Sequence, residues 1–443
     1  MPRCGAGEAG RRLTTPPGPD AYLPARWPPI LYLGFAHACL ATAFVLAAWS
    51  PATIGGFYYH PRLIAVVHLV TLGWVSSSIL GALYLVAPLT FRVALPGSWR
   101  DITAFAAWAI AVSGVAAHFW LETLAGVAWA GMLALAAMAF VTGRVLRRLP
   151  RAPVPIEARL PVMCAIVNML GAALLGIALG FNKSRGFLPV SQLDAVIAHA
   201  HLAGLGWGAM MVMGAGYRML PMMLPAAPPL GAGPIAATVI TEIGVWMLVA
   251  ARLTAAGPRV SAAAAIACAL GIALYLVQVL RMLRHRRPPP TAQPRPDPGV
   301  VHALAAMVWL TLATAIGVWL AIAPASEATL AGALAYGVIA LVGFLAQMVA
   351  CVAARLIPLV AWLLAFRDGG EGALPGSPHR ALSRPLQLVT LGLWTAGVPG
   401  LAAGLALDRH AWITASAGAL AIAVLLGGAN LVLGIRRLSR PVT

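Results

Sequence analysis

The sequence predicts an all-α integral membrane protein with twelve transmembrane helices in three pseudo-repeated four-helix arcs. Of its 443 residues, 61% are hydrophobic and only 9% are charged, and the mean hydropathy is +0.87. A soluble protein has no core that would bury so large an apolar share, so the composition indicates a polytopic membrane protein. The spacing of the apolar stretches and an internal repeat then give the number of helices and their grouping.

Twelve apolar stretches are each long enough to cross a hydrocarbon layer of about 30 Å. They lie at residues 28–49, 62–90, 102–119, 124–146, 160–180, 195–220, 234–254, 261–283, 300–323, 329–364, 385–406 and 411–435. The preceding residues 1–27 are rich in Gly, Pro and Arg and have no apolar run, which predicts a disordered cytoplasmic tail and no signal peptide.

Residues 28–437 form the predicted membrane domain, and a four-helix block used three times accounts for the spacing of its spans. The repeats are expected at about 28–148, 160–284 and 300–437. The Pro-rich residues 284–299 predict a semi-rigid cytoplasmic linker.

The repeat is clearest in the second and sixth spans. The motif His68-Leu-x-x-Leu-Gly-Trp74 recurs 133 residues later, beginning at His201 and ending at Trp207. Three further identities follow at the same offset, which pairs Gly81, Tyr84 and Pro88 with Gly214, Tyr217 and Pro221. A weaker third copy lies about 137 residues further on, where Val338 replaces the histidine. Three related blocks explain this pattern better than chance does.

The basic residues predict the orientation. The tails and the loops after even-numbered spans contain 23 Lys and Arg, whereas the other loops contain 6. By the positive-inside rule, both termini are cytoplasmic and the protein is a multi-pass component of the cell inner membrane. The net charge of +18 does not indicate nucleic-acid binding, because the basic residues lie in short loops and form no continuous face. The expected partners are membrane lipid and a redox partner or another membrane subunit.

The candidate site residues are the buried histidines. His68 and His201 lie in the predicted outer half of the membrane, and His199 lies in the same region as His201. A buried imidazole is either a haem or metal ligand or a structural residue with a hydrogen-bond partner, and both alternatives stay open. His199 and His201 are also candidate copper ligands, although their spacing places them on different sides of one helix.

Small residues follow each repeated histidine. They are Gly73 and Gly206 and, two turns further along each helix, Gly81 and Gly214. Residues this small leave room for either a flat macrocycle or a closely packed helix. Glu242 is the one carboxylate clearly inside a span, and it predicts either a proton relay or a neutral side chain bonded to a neighbouring helix.

The motif His-Leu-x-x-Leu-Gly-Trp followed by Gly-x-x-Tyr-x-x-x-Pro resembles helices two and six of the haem–copper oxidase subunit I superfamily. Within it, the chain resembles short subunit-I-like proteins and the NnrS-type nitric-oxide-response proteins, whose pattern is similar to Gly216–Pro221. The resemblance implies twelve helices in three arcs. It also implies a haem ligand at His68 and a copper ligand at His201 or His199.

Four of the six metal ligands that the resemblance implies are missing. Span seven has no histidine pair, and span ten has no histidine and offers only Gln347. The binuclear oxygen-reducing site is therefore not expected, and whether the chain is an enzyme stays open. We expect a haem- or metal-binding protein that acts in electron transfer or in the handling of nitric oxide or copper. The alternative is a cofactor-free transporter or an assembly or scaffold protein on the same fold.

The expected cofactor is haem b, held between His68 and His201. It would be bound non-covalently, because the five cysteines form no CxxCH motif. Its propionates are expected at the outer face, near His60 and His118.

The orientation generates a prediction. A reporter fused at the C-terminus should report the cytoplasm, and one fused after Glu327 should report the outer side, because the basic loops alternate with loops poor in Lys and Arg. Paired phosphatase and fluorescent-protein fusions measure this. The same side for both fusions would contradict twelve spans.

Overall fold

The structure is a computed structural model that describes residues 22–289, 296–369 and 377–438. Most of the predicted tail (1–21) and the middle of the predicted linker (290–295) lie outside the described residues. Within the described ranges, twelve helices are long and apolar enough to cross a membrane, which confirms the predicted number. They are α1 (Trp27–Trp49), α2 (Pro61–Phe91), α3 (Trp99–Trp120), α4 (Leu124–Arg151), α5 (Ile156–Lys183), α6 (Gln192–Met223), α7 (Ala232–Leu253), α8 (Pro258–Arg284), α9 (Pro298–Ile322), α10 (Glu327–Ala365), α11 (Arg384–Ala406) and α12 (His410–Leu438).

Because the twelve helices alternate in direction, the start of α1 and the end of α12 lie at the same face of the bundle. We call this the terminal face, and the helices α2, α4, α6, α8 and α10 also end there. The distal face contains the loops after α1, α3, α5, α7, α9 and α11. The positive-inside rule predicts that the terminal face is cytoplasmic.

The helices pack as an inner group surrounded by a closed ring. The inner helices are α2, α6 and α10, whose central segments contact one another. Around them, α4 contacts α5, α8 contacts α9, and α12 closes the ring against α1. Three consecutive four-helix blocks would place α2, α6 and α10 in equivalent positions, and this three-arc repeat stays a prediction. Descent of the blocks from one repeated unit stays a prediction.

Each inner helix contains an eight-residue π-helical segment. The segments are Leu69–Ser76, Leu202–Ala209 and Ile339–Ala346, and they begin directly after His68, His201 and Val338. A π-helical turn is wider than an α-helical turn and recurs at functional sites. The repeated sequence motif therefore corresponds to a repeated distortion of the backbone.

Indole hydrogen bonds join the inner helices at these segments. Trp74 of α2 donates from Nε1 to the carbonyl oxygen of Ala346 in α10, over 3.1 Å. Trp207 of α6 donates from Nε1 to Oγ of Ser76 in α2, over 3.0 Å. At the matching position in α10, Phe344 has no donor. Because lipid offers an indole no hydrogen-bond partner, these bonds favour one arrangement of the three helices.

A buried ionic cluster ties α2, α3 and α4 together near the terminal face. Ser98 caps the start of α3 in a capping box with Asp101, whose carboxylate also accepts from Tyr84 and Arg144. A buried carboxylate needs several such donors to offset its lost hydration. The Ser-x-x-Asp spacing was a visible signal for this helix start.

The central indole bonds generate a prediction. Trp207→Phe removes the donor and leaves the hydroxyl of Ser76 without that partner, so it should destabilise the protein by about 1–3 kcal/mol. The apparent melting temperature of the purified protein in detergent should fall. Trp412→Phe is the matched control, because Trp412 is 52% exposed. Equal melting temperatures for both variants would contradict a stabilising role for the Trp207–Ser76 bond.

Candidate functional site

A cavity of about 1260 Å³, which we call the chamber, occupies the distal half of the bundle, on the distal side of the central indoles. It extends from the distal loops, at Tyr59 and Ser326, down to Ser76, Trp207 and Phe344. Most of its lining is Ala, Gly, Val and Leu. All three candidate histidines, His68, His199 and His201, line it. The structure thus brings the three candidate histidines into one chamber.

His68 and His201 adopt the same arrangement in the two blocks. Nδ1 of His68 lies 2.8 Å from the carbonyl oxygen of Ile64, and Nδ1 of His201 lies 2.8 Å from that of Ile197. A carbonyl oxygen only accepts, so Nδ1 carries the proton and Nε2 of the neutral ring carries the lone pair. This is the form in which an imidazole binds a metal ion.

His199 is the histidine that the structure places beside His68. Their ring centres are 6.5 Å apart and their planes are inclined by 23°. Nδ1 of His199 donates to the carbonyl oxygen of Ala172 in α5, over 2.9 Å. The same ring lies against Gly176, where an added Cβ would be 2.8 Å from Cε1 of His199. The helix α5 therefore fixes both the tautomer and the position of His199.

His201 lies against Tyr336 of α10. The two rings are 6.0 Å apart and nearly parallel, and the hydroxyl of Tyr336 lies 3.3 Å from Nε2 of His201. Because Nδ1 carries the proton, the Tyr336 hydroxyl donates to Nε2. The His68–His201 pair stays a prediction, but the geometry favours His199 as the partner of His68. Tyr336 was not found from sequence, although it lies two residues before Val338, which replaces the third histidine.

The glycines near the repeated histidines serve helix packing. A Cβ on Gly73 would clash with Cys39 of α1, and one on Gly206 would lie 2.8 Å from Cβ of Asn168 in α5. Gly81 and Gly214 are likewise covered, by α1 and α5. Of the two alternatives, the structure therefore fits close helix packing. The room for a ligand comes from the chamber above.

Glu242 lies outside the chamber, on α7. Its carboxylate accepts from Nδ2 of Asn168 over 2.8 Å and from Nε1 of Trp246 over 3.0 Å. Asn168 also donates to the carbonyl oxygen of Gly206 in the π segment of α6, over 3.2 Å. These contacts fit the alternative in which Glu242 is bonded to a neighbouring helix. A proton-relay role stays a prediction.

The described residues contain no group of three or more His, Cys, Asp or Glu close enough to hold a metal ion. His199 and His201 contact different neighbours, α5 and α10, so the structure does not aim them at one copper ion. Among the described residues, a copper ion would therefore find single imidazoles and no complete set of ligands.

The distal mouth of the chamber has polar residues that were not predicted as site residues. Nζ of Lys183 donates to the hydroxyl of Tyr59 over 2.9 Å, and Asp194 pairs with Arg252 over 3.2 Å. Lys183 is the only lysine in the sequence, which is the one signal that would have singled it out.

Polar residues near both faces of the bundle have local partners. His60 caps the start of α2 by accepting from the backbone nitrogen of Arg62, and half-buried His118 contacts Thr123. At the terminal face, Arg355 pairs with Asp297. None of these side chains lines the chamber.

Comparisons with protein-family models and with curated proteins gave no match. The resemblance to the haem–copper oxidase superfamily therefore depends on the repeated motif alone, and it stays a hypothesis. What the structure establishes is a twelve-helix membrane fold with three histidines around one apolar chamber.

Proposed function

We propose that the chain is a haem-binding membrane protein that holds one b-type haem between His68 and His199 in the distal chamber. The observation that carries the proposal is the pair of nearly parallel imidazoles 6.5 Å apart. They come from two inner helices and line one apolar cavity.

The distance between the rings suits a shared metal ion. Two imidazoles that bind one ion from opposite sides have ring centres roughly 6 Å apart, because each metal–nitrogen bond is about 2 Å long. Rings in face-to-face contact would be closer, at about 4 Å. Each ring donates from Nδ1 to a backbone carbonyl, and no hydrogen bond from a described residue reaches either Nε2.

The donor set favours haem over a bare metal ion. A porphyrin supplies four nitrogens itself, so it needs only one or two ligands from the protein. A protein copper site needs about three, and the described residues bring no such group together. The chamber is also larger than the roughly 300–1,000 Å³ of typical ligand pockets, and its aliphatic lining suits a flat apolar ring.

Two histidines in the candidate site favour electron transfer over oxygen reduction. Haem, when bound, would supply one-electron redox chemistry, and His68 and His199 together would leave no position for oxygen. The protein then contributes ligand orientation through the carbonyl groups of Ile64 and Ala172, and water exclusion through the apolar lining. Binding of nitric oxide would require that one imidazole be displaced.

A transporter is the second candidate, and the shape of the chamber favours it. The chamber reaches the distal loops, whereas Trp207 and Phe344 close it toward the terminal face. A cavity open to one face and closed at the other is the arrangement expected of one state of an alternating-access protein. On this reading the three histidines would contact a substrate.

The ligand pair generates a prediction. Protein produced with ample haem should show a low-spin haem b difference spectrum, and His68→Ala and His199→Ala should remove the haem or make it high spin. His37→Ala is the matched control, because His37 is also bonded through Nδ1 to a carbonyl oxygen four residues earlier, but does not line the chamber.

His201→Ala separates the two ligand pairs. It should keep the low-spin spectrum if His199 is the ligand, whereas loss of haem in this variant and not in His199→Ala would restore the His68–His201 pair. Wild-type protein without haem would overturn the proposal and favour the transporter.

A second prediction tests the support of His199. Gly176→Ala adds a methyl group against the His199 ring and should displace it, weakening haem binding about tenfold or more, as loss of a ligand's supporting contact does. Gly143→Ala is the control, because an added Cβ there meets nothing within 4 Å. Haem content per chain and the ratio of low-spin to high-spin haem measure the effect. Equal values for the two variants would contradict the role of α5.

A further inference from the structure

The mouth of the chamber has an unbalanced positive charge. Among the described residues, three charged side chains line the cavity, and two of them, Asp194 and Arg252, form an ion pair over 3.2 Å. The third is Lys183, which has no carboxylate partner among the described residues. An ammonium group beside an apolar cavity is stabilised by an anion.

The surroundings of Lys183 hold its ammonium group in place. Nζ donates to the hydroxyl of Tyr59 and lies 4.6 Å from the centre of that ring. The Tyr59 hydroxyl also accepts from Nε2 of Gln192, over 3.1 Å. With both acceptor positions used, the O–H of Tyr59 remains available as a donor. Lys183 and Tyr59 therefore offer a cation and a hydroxyl donor at one point.

Phe119 links this point to the proposed axial ligand. Its ring lies 6.0 Å from Nζ of Lys183 on one side and stacks on His68, with ring centres 5.2 Å apart. A ligand held at His68 that extends toward the distal face would therefore reach Lys183. The geometry fits an amphiphile with a flat apolar body and an acidic edge.

We propose that Lys183, with the hydroxyl of Tyr59, binds a carboxylate of the haem and so fixes its orientation in the chamber. This inference rests on the proposed function. It keeps the propionates at the distal face, where they were expected near His60 and His118, and assigns their binding to Lys183 and Tyr59, because His60 and His118 have local partners and do not line the chamber. A charged hydrogen bond of this kind contributes roughly a factor of ten or more in affinity.

The test compares haem with its dimethyl ester, which has the same ring and no free carboxylate. Each is added to protein produced under haem limitation, and the dissociation constant is taken from the change in the Soret band. Wild-type protein should bind haem about tenfold or more tightly than the ester. Lys183→Gln should bind both as weakly as wild type binds the ester, whereas Lys183→Arg should keep most of the preference. Arg185→Gln is the control, because Arg185 is exposed and does not line the chamber.

The outcomes separate this inference from the proposed function. If wild type binds haem and ester equally, or if Lys183→Gln keeps the preference, the carboxylate role is wrong and the haem proposal stands. If Arg185→Gln loses the preference as Lys183→Gln does, the effect is general surface charge and the inference is also wrong. If wild type binds neither compound, the proposed function itself fails.

Discussion

The structure depends on the contacts among α2, α6 and α10 at the centre of the bundle, where water is not available as a hydrogen-bond partner. Trp74 and Trp207 each donate across a helix boundary, to Ala346 and to Ser76, at the level of the π segments. In a membrane, burying apolar surface between helices contributes little to their association, because the lipid tails are equally apolar. Buried polar bonds and close packing of small residues therefore specify the arrangement. Trp207 and its acceptor Ser76 also line the chamber and close it on one side, so one of the contacts that hold the fold together forms the floor of the candidate site.

The chamber also depends on the packing of the three inner helices. Each π segment widens its helix directly after the repeated position, which carries His68, His201 or Val338. The ring of outer helices then supplies the supporting contacts, such as the carbonyl of Ala172 that orients His199. In two of the three blocks the residue at the repeated position is a histidine that lines the chamber, His68 or His201. In the third block the ring that lines the chamber is that of Tyr336. The pseudo-equivalent blocks thus produce a site that is not symmetrical.

The class of fold and the helix count were predictable, because apolar length and composition alone determine how often a chain crosses a membrane. The repeat also predicted that His68 and His201 lie at matched positions. The pairing of His68 with His199 was not predictable, because it depends on the rotation of α6 about its own axis. Lys183 was missed for a related reason: helical periodicity does not show that the end of α5 borders the same cavity as α2.

A haem held by two helices would make the chamber the functional centre of the protein, and an empty or substrate-filled chamber would make it a transport pathway. The most direct measurement is an experimental structure of the protein purified from haem-supplied cells. The account predicts planar density between His68 and His199, joined to both rings, with an edge that reaches Lys183. Density of a different shape, or two imidazoles without a shared ligand, would contradict it.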